Sequence, residues 1–144
     1  MQIRDVLKAK GGGAIIIGPE ATVNEAIARL VEFNIGSLPV VDGRGRLVGI
    51  FTERDVLRGV HRDCERFLHQ RIADVMTPDP ITCTPEDHLH EAMGRMSSRK
   101  VGQLPIVANG EVVGVVSVGD VIKLMFEQVE AENRHLLEYL YGPG

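Results

Sequence analysis

An internal repeat constrains the fold of this chain more than any other feature of its sequence. A shift of 66 positions aligns the two copies, and the second copy is one residue shorter after its central hairpin. The matched residues are Ile15 with Ile81, Pro19 with Pro85, Glu25 with Glu91, Gly36 with Gly102, Leu38-Pro39 with Leu104-Pro105, Gly49 with Gly114 and Asp55 with Asp120. The repeat predicts two similar units that close one shared core, because one unit alone cannot bury its apolar surface.

Each copy has the pattern of a β-α-β-β-α unit. In the first copy a strand is predicted over Ala14 to Ile17, and Thr22-x-x-Glu25 is a capping box that opens a helix. Two apolar segments, Leu38 to Val41 and Leu47 to Phe51, form a predicted hairpin. The predicted fold is therefore α/β, with two repeats packed with pseudo-twofold symmetry into one module and an extended C-terminal helix.

The repeat and the longer last helix divide the chain into four predicted parts. Repeat 1 is predicted at 1–60, a linker at 61–75, repeat 2 at 76–126 and a C-terminal helical extension at 127–144. In the last helix apolar residues recur at threes and fours to Leu140, with Asn133 as a polar interruption. We expect this helix to support a homodimer; the alternative is that it packs back on its own domain.

Composition excludes several classes of protein. The chain has 144 residues, 25% of them charged, and a formal net charge of −4, so it does not have the basic character of a nucleic-acid-binding protein. No apolar run is long enough to cross a membrane, and no signal peptide is evident. Cys64 and Cys83 are the only cysteines, which fits a reducing compartment. These features predict a cytoplasmic protein.

A hydroxyl residue followed three places later by an aspartate ends a strand in both copies. The two motifs are Thr52-x-x-Asp55 and Ser117-x-x-Asp120, and this spacing is itself a helix cap. A strand end that meets a helix start also offers free N–H groups to an anion. The aspartate could then accept hydrogen bonds from the vicinal hydroxyls of a ribose. The spacing alone leaves both roles open.

The repeated segments resemble a pair of cystathionine-β-synthase (CBS) domains. The resemblance rests on NIGSLPVVD at 34–42 and GIFTERD at 49–55, matched by VGQLPIV at 101–107 and GVVSVGD at 114–120. It covers about Met1 to Met125 and is similar to small stand-alone bacterial CBS-pair proteins. It implies a non-catalytic regulatory module that binds AMP, ADP, ATP or NAD, without an obligatory cofactor, in a cleft between the repeats.

The resemblance also implies two sites, each made from both repeats. The first would use Thr52, Arg54, Asp55, Thr77, Pro80, Val101, Gly102 and Gln103. The second would use Ser117, Asp120, Lys10, Gly13, Ile35, Gly36 and Ser37. The sequence favours the first site, since Arg54 could reach a phosphate where the second copy has Gly119. The family often has a basic residue before Leu-Pro, and its replacement by Ser37 and Gln103 weakens the case for ATP.

Other functions find less support in the sequence. Arg54, Arg58, Arg62 and Arg66 would form a basic stripe on one helix, but acidic residues dilute it and Gly59 could break it. The histidines have no metal-ligand spacing, and the glycines at 11–13 are not followed by the Lys-Ser or Lys-Thr of a phosphate-binding loop. No nucleophile beside a base indicates a hydrolase. The main alternative is a constitutive protein-interaction scaffold without a ligand response.

Overall fold

The computed structural model describes residues 1–142. Its helices, of 4 to 24 residues, lie beside two small antiparallel sheets. Its elements are α1 (Ile3–Lys10), α2 (Val23–Phe33), β1 (Ser37–Val41), β2 (Leu47–Thr52), α3 (Glu53–His69), α4 (Ile72–Val75), β3 (Thr77–Pro78), α5 (Leu89–Arg99), β4 (Gln103–Ala108), β5 (Glu111–Ser117) and α6 (Val118–Tyr141). The mixed α/β class and the repeat architecture are confirmed, and so is the long last helix.

Each repeat has its own sheet and its own apolar core, so the prediction of one shared core is wrong. In the first, β2 lies between β1 and β3, and the core contains Leu38 and Phe51. In the second, β4 pairs with β5 alone, and the core contains Leu104 and Val116. The two sheets approach each other along β1 and β5, which places the ends of both hairpins near the boundary between the repeats.

The repeats exchange short helices with each other. Ile3 and Val6 of α1 are buried in the core of the second repeat, while Ile72 of α4 is buried in the core of the first. The exchanged segments are themselves similar, IRDV at 3–6 and IADV at 72–75. The core of the first repeat is formed within residues 15–76, whereas the core of the second combines α1 with residues 81–125, so only the second is assembled from two separate stretches of sequence.

The strand predicted over Ala14 to Ile17 does not form. Only Ile17 pairs, in a single parallel bridge to Val40, where its N–H donates to the Pro39 carbonyl at 3.0 Å. A longer parallel ladder would need an N–H from Pro39, and proline has none. Cys83 makes the equivalent single bridge beside Pro105. The Leu-Pro dipeptide in each repeat therefore stops this pairing after one residue.

Gly59 does not end α3, contrary to the expected break. The backbone instead leaves helical geometry at Asp63 (φ −165, ψ 91), whose carboxylate accepts a hydrogen bond from Arg66 N at 3.2 Å and so caps the following segment. The ring of Phe67 packs directly over Gly59, where a methyl group would collide with it. Much of the predicted linker is thus helical, and it folds back on the first repeat.

The last helix is longer than its counterpart α3. α6 runs for 24 residues, and its first turns pack on the core of the second repeat through Val121, with Leu124 and Met125 at the edge of that core. From Phe126 onward every described residue is exposed. The part of the helix from Phe126 onward therefore does not pack back on its own domain, whereas the first turns do.

Candidate functional site

The two repeated aspartate motifs are both helix caps. Asp55 N donates to Thr52 Oγ1 at 3.3 Å, and Thr52 N donates back to Asp55 Oδ2 at 2.9 Å. Ser117 and Asp120 make the same reciprocal pair, at 3.0 and 2.9 Å. Each aspartate uses Oδ2 for the cap. A carboxylate has lone pairs on both oxygens, so the cap leaves Oδ1 available to another donor.

A cavity of about 270 Å³ lies beside Asp120 at the boundary between the repeats. All seven residues predicted for the second site line it: Lys10, Gly13, Ile35, Gly36, Ser37, Ser117 and Asp120. The rest of its wall is Leu7, Gly11, Gly12, Ala14, Ile15, Asn34, Gln103, Val113, Gly114 and Val115. Lys10 and Asp120 are the only charged residues of this wall, whose remainder is apolar or neutral.

The cavity arises from a difference between the two repeats. In the first, the chain after α4 forms β3, and Thr77 pairs with Ile50 on the outer edge of β2. In the second, α1 continues to Lys10 and is followed by a glycine loop, in which Gly11 and Gly12 both have φ +72. Glycine adopts this conformation without strain. No strand covers the outer edge of β5 among residues 1–142, which leaves room there for a ligand.

Lys10 holds the acidic group of the cavity in its ionised form. Its ammonium donates to Asp120 Oδ2 at 2.8 Å and to the carbonyl of Val115, on the open edge of β5, at 2.9 Å. Burial raises the pKa of Asp120, but the hydrogen bonds from Lys10 and Ser117 outweigh it and keep that pKa below its ordinary value. At neutral pH Asp120 is therefore a hydrogen-bond acceptor.

A second polar group of the cavity has no partner. Ser37 is 4% exposed, and its hydroxyl makes no hydrogen bond to any described residue. A buried hydroxyl without a partner is unfavourable, so most such groups are satisfied in folded proteins. Ser37 lines the cavity with its Oγ buried and unpaired, and the ionised Asp120 gives the same cavity a hydrogen-bond acceptor.

The backbone comes close to this cavity at Gly36. A methyl group at that position would collide with the side-chain amide of Gln103 and would lie 3.5 Å from Glu53 Cδ. Gln103 was predicted for the first site, but its side chain borders the second. The carbonyl of Gly36 accepts from Glu53 N at 3.0 Å, as the carbonyl of Gly102 accepts from Val118 N at 3.0 Å.

The other residues predicted for the first site are spread over the surface of the protein. Thr77 is exposed in β3, Pro80 is half-buried after it, and Val101 and Gly102 are exposed before β4. Arg54 is exposed on the first turn of α3. Asp55 lines a different cavity, of about 430 Å³, along α3.

The arginine stripe borders that second cavity. Arg58, Arg62 and Arg66 line it together with Asp63 and Asp74, so its charges are mixed. Within residues 1–142 there is no group of three or more histidine, cysteine or acidic residues suited to a metal ion. No helix in the same range is long and apolar enough to cross a bilayer.

Sequence reasoning identified Lys10 of α1 and Ser117 of β5, but it missed the other wall residues from these two elements, which are Leu7, Val113, Gly114 and Val115. Leu7 packs where a side chain at Gly114 would stand, and Val115 contributes the carbonyl bound by Lys10. The similarity of IRDV and IADV was the available signal, since it marks α1 as the counterpart of α4.

Comparison with known proteins agrees with this architecture. The family model "CBS domain" matches residues 3–62 and 72–127. The CBS domain-containing protein CBSX3, mitochondrial, of Arabidopsis thaliana is 31% identical over 148 residues, which cover 97% of this chain and 72% of that protein.

Solved structures extend the comparison to the fold. The CBS-domain containing protein ATU1752 from Agrobacterium tumefaciens has a TM-score of 0.82 and 30% identity, covering 87% of this chain and 99% of that one. The CBS domain pair of protein MJ0100, solved with 5′-methylthioadenosine and S-adenosyl-L-methionine, has a TM-score of 0.79 and 26% identity, covering 89% and 98%. The expected resemblance is confirmed: the chain belongs to the family of CBS-domain proteins and contains a pair of CBS repeats.

Proposed function

We propose that this protein is a non-enzymatic regulatory module that binds an adenosyl ligand in the cavity between Asp120 and Ser37. The observation that carries the proposal is a cavity bordered by an ionised carboxylate and by a buried hydroxyl without a partner. A pocket with an apolar wall and a few convergent polar groups is the usual form of a small-molecule site. The ligand supplies the missing hydrogen-bond partners.

Asp120 would hold the ribose. Its Oδ2 is already engaged by Ser117 N and Lys10 Nζ, whereas Oδ1 makes no hydrogen bond to another described residue. Vicinal hydroxyls can donate to this carboxylate while the helix cap is retained. Asp120 would then cap helix α6 and bind the ribose hydroxyls at the same time.

The size and charge of the cavity favour a compact ligand. The cavity volume of about 270 Å³ is just below the range of roughly 300–1,000 Å³ for small-molecule pockets. Lys10 is the single cation of the wall, and Asp120 already binds it. A nucleoside with a small 5′ substituent, or with one phosphate that draws Lys10 away from Asp120, therefore fits better than ADP, ATP or NAD.

The chemistry of a relative supports this class of ligand. The CBS pair of MJ0100 was solved with 5′-methylthioadenosine and S-adenosyl-L-methionine, two molecules that share an adenosyl group and lack a phosphate. The present cavity, with one lysine and no arginine, has a lining compatible with such molecules and with AMP. We keep the first site, at Thr52, Arg54 and Asp55, as a second proposed position for the same class.

Thermal unfolding of the full chain tests the proposal. The panel is adenosine, 5′-methylthioadenosine, S-adenosyl-L-methionine, AMP, ADP, ATP and NAD, with GMP as a base control. A ligand at about 100 times its Kd should raise the free energy of unfolding by ~2.7 kcal/mol. No shift with any adenosyl compound would contradict the proposal and favour the scaffold.

Two matched variants locate the site. Asp120→Asn removes the charge that accepts from ribose, and it should weaken binding about 10- to 100-fold, since hydrogen bonds to charged groups contribute roughly 1.5–3 kcal/mol. Asp55→Asn changes the equivalent cap in the first repeat and controls for the loss of a cap. If Asp55→Asn abolishes the ligand shift and Asp120→Asn does not, the ligand belongs at the first site.

A further inference from the structure

The exposed half of α6 carries a continuous apolar stripe. Five residues of the stripe are between 51% and 62% exposed: Ile122, Phe126, Val129, Leu136 and Leu140. Together with Asn133 they are separated alternately by four and three positions. This is the seven-residue repeat of a coiled coil, in which Phe126, Asn133 and Leu140 take the a positions, and Ile122, Val129 and Leu136 take the d positions.

Most of this helix gains no stabilisation from packing within the described chain. At about 1.5 Å per residue, 24 residues extend roughly 36 Å, and only the first turns of α6 contact a core. Isolated helices shorter than about 12–15 residues are marginal in water, and most helical stability in proteins comes from burial of an apolar face. A single long stripe of this kind predicts a helical partner with a matching stripe.

We propose that α6 pairs with α6 of a second copy in a parallel, in-register coiled coil. In a parallel pair each a residue faces the same a residue, so the amide of Asn133 meets the amide of the other Asn133 and both can hydrogen-bond. In an antiparallel pair a faces d, and Asn133 would face an apolar residue and lose its partner. The single polar position therefore selects both the partner and its direction.

The flanking residues are compatible with this register. In a parallel pair, position g approaches position e of the next heptad in the other helix. Met125 then approaches Glu130 of the second copy, and Glu132 approaches Leu137 of the second copy. No two like charges are opposed. Apolar Leu137, itself 55% exposed, widens the buried strip toward the end of the helix.

Cysteine crosslinking of the full chain tests both the pairing and its direction. In a Cys64→Ser background, which removes the exposed native thiol, Leu140→Cys lies on the stripe and Glu138→Cys on the opposite face. A disulfide needs Cα atoms within about 7 Å, so mild oxidation should crosslink L140C at least about tenfold more than E138C. Equal crosslinking, or none at residue 140, would overturn a parallel register.

Light scattering on further variants tests the role of the stripe. The unsubstituted chain should have the mass of a dimer, Leu136→Glu should halve that mass, and Arg134→Glu, on the outer face, should leave it unchanged. Asn133→Leu should retain association but lose the preference for one direction, so that L140C crosslinks less completely in its presence. A monomeric parent chain, or a Leu136→Glu variant that remains a dimer, would refute the proposal whatever the result of the ligand experiments.

Discussion

Ser37 links the stability of the protein to its ligand affinity. The residue is 4% exposed, its hydroxyl has no hydrogen-bond partner among the described residues, and it borders the cavity beside Asp120. If the cavity binds an adenosyl ligand that reaches Ser37, the hydroxyl is unsatisfied in the free protein and satisfied in the complex. Replacement by alanine should then change the two states in opposite directions.

The size of both effects follows from the hydrogen bond that is missing. A buried polar group without a partner costs about 1–3 kcal/mol, so Ser37→Ala should stabilise the free protein by about 1 kcal/mol. For a chain of this size that corresponds to a rise in Tm of roughly 3–5 °C. Loss of the hydrogen bond in the complex should weaken ligand binding by about 1 kcal/mol, a factor of about five in Kd.

The assay is thermal unfolding of the parent chain and of Ser37→Ala over a titration of 5′-methylthioadenosine. Ser97→Ala is the matched control, because Ser97 is exposed in α5, away from the cavity. We expect a higher Tm without ligand and a smaller ligand-induced shift for Ser37→Ala only. A lower Tm without ligand, or an unchanged ligand-induced shift, would show that the Ser37 hydroxyl does not hydrogen-bond to this ligand.

Three further predictions concern charge and packing. Lys10→Met should change stability by less than about 1 kcal/mol, because the ion pair with Asp120 is partly exposed, but NMR titration should find the pKa of Asp120 higher; an unchanged value would contradict the assigned cause. The pKa of Asp120 in the folded protein lies below its ordinary value of 3.8, so the ionised carboxylate stabilises the fold above pH 3.8. This stabilisation is lost as the pH falls through the folded pKa. The urea midpoints of the parent chain and of Asp120→Asn should therefore converge only below pH 3.8. Gly59→Ala should lower the free energy of unfolding by roughly 1–3 kcal/mol, because the added methyl group collides with the Phe67 ring. Gly94→Ala, with open space around it, should stabilise α5 by about 0.5–1 kcal/mol. Equal urea midpoints for the two variants would refute the packing at Gly59.

Several features of the fold could be predicted from local sequence because short-range forces decide them. The capping boxes at Thr22, Thr52 and Ser117 join residues three positions apart, and the structure contains all three. The hairpin strands follow from apolar runs bounded by turn residues, as at Asn109-Gly110, and their bounds differ from the prediction by one residue. The truncated strand at Ile17 was also predictable in principle, from the missing N–H of Pro39.

The sequence by itself determined the duplicated units, their caps and the apolar stripe of α6, because each depends on neighbours a few positions apart. Only the tertiary structure decided which predicted site has all of its residues around one cavity. Lys10 meets Asp120 across 110 positions, and this contact exists because α1 is buried in the core of the other repeat. In the sequence, Arg54 favoured the first site. The pairing of β3 with β2 and the open edge of β5 instead depend on packing between distant segments, which a local sequence pattern does not predict.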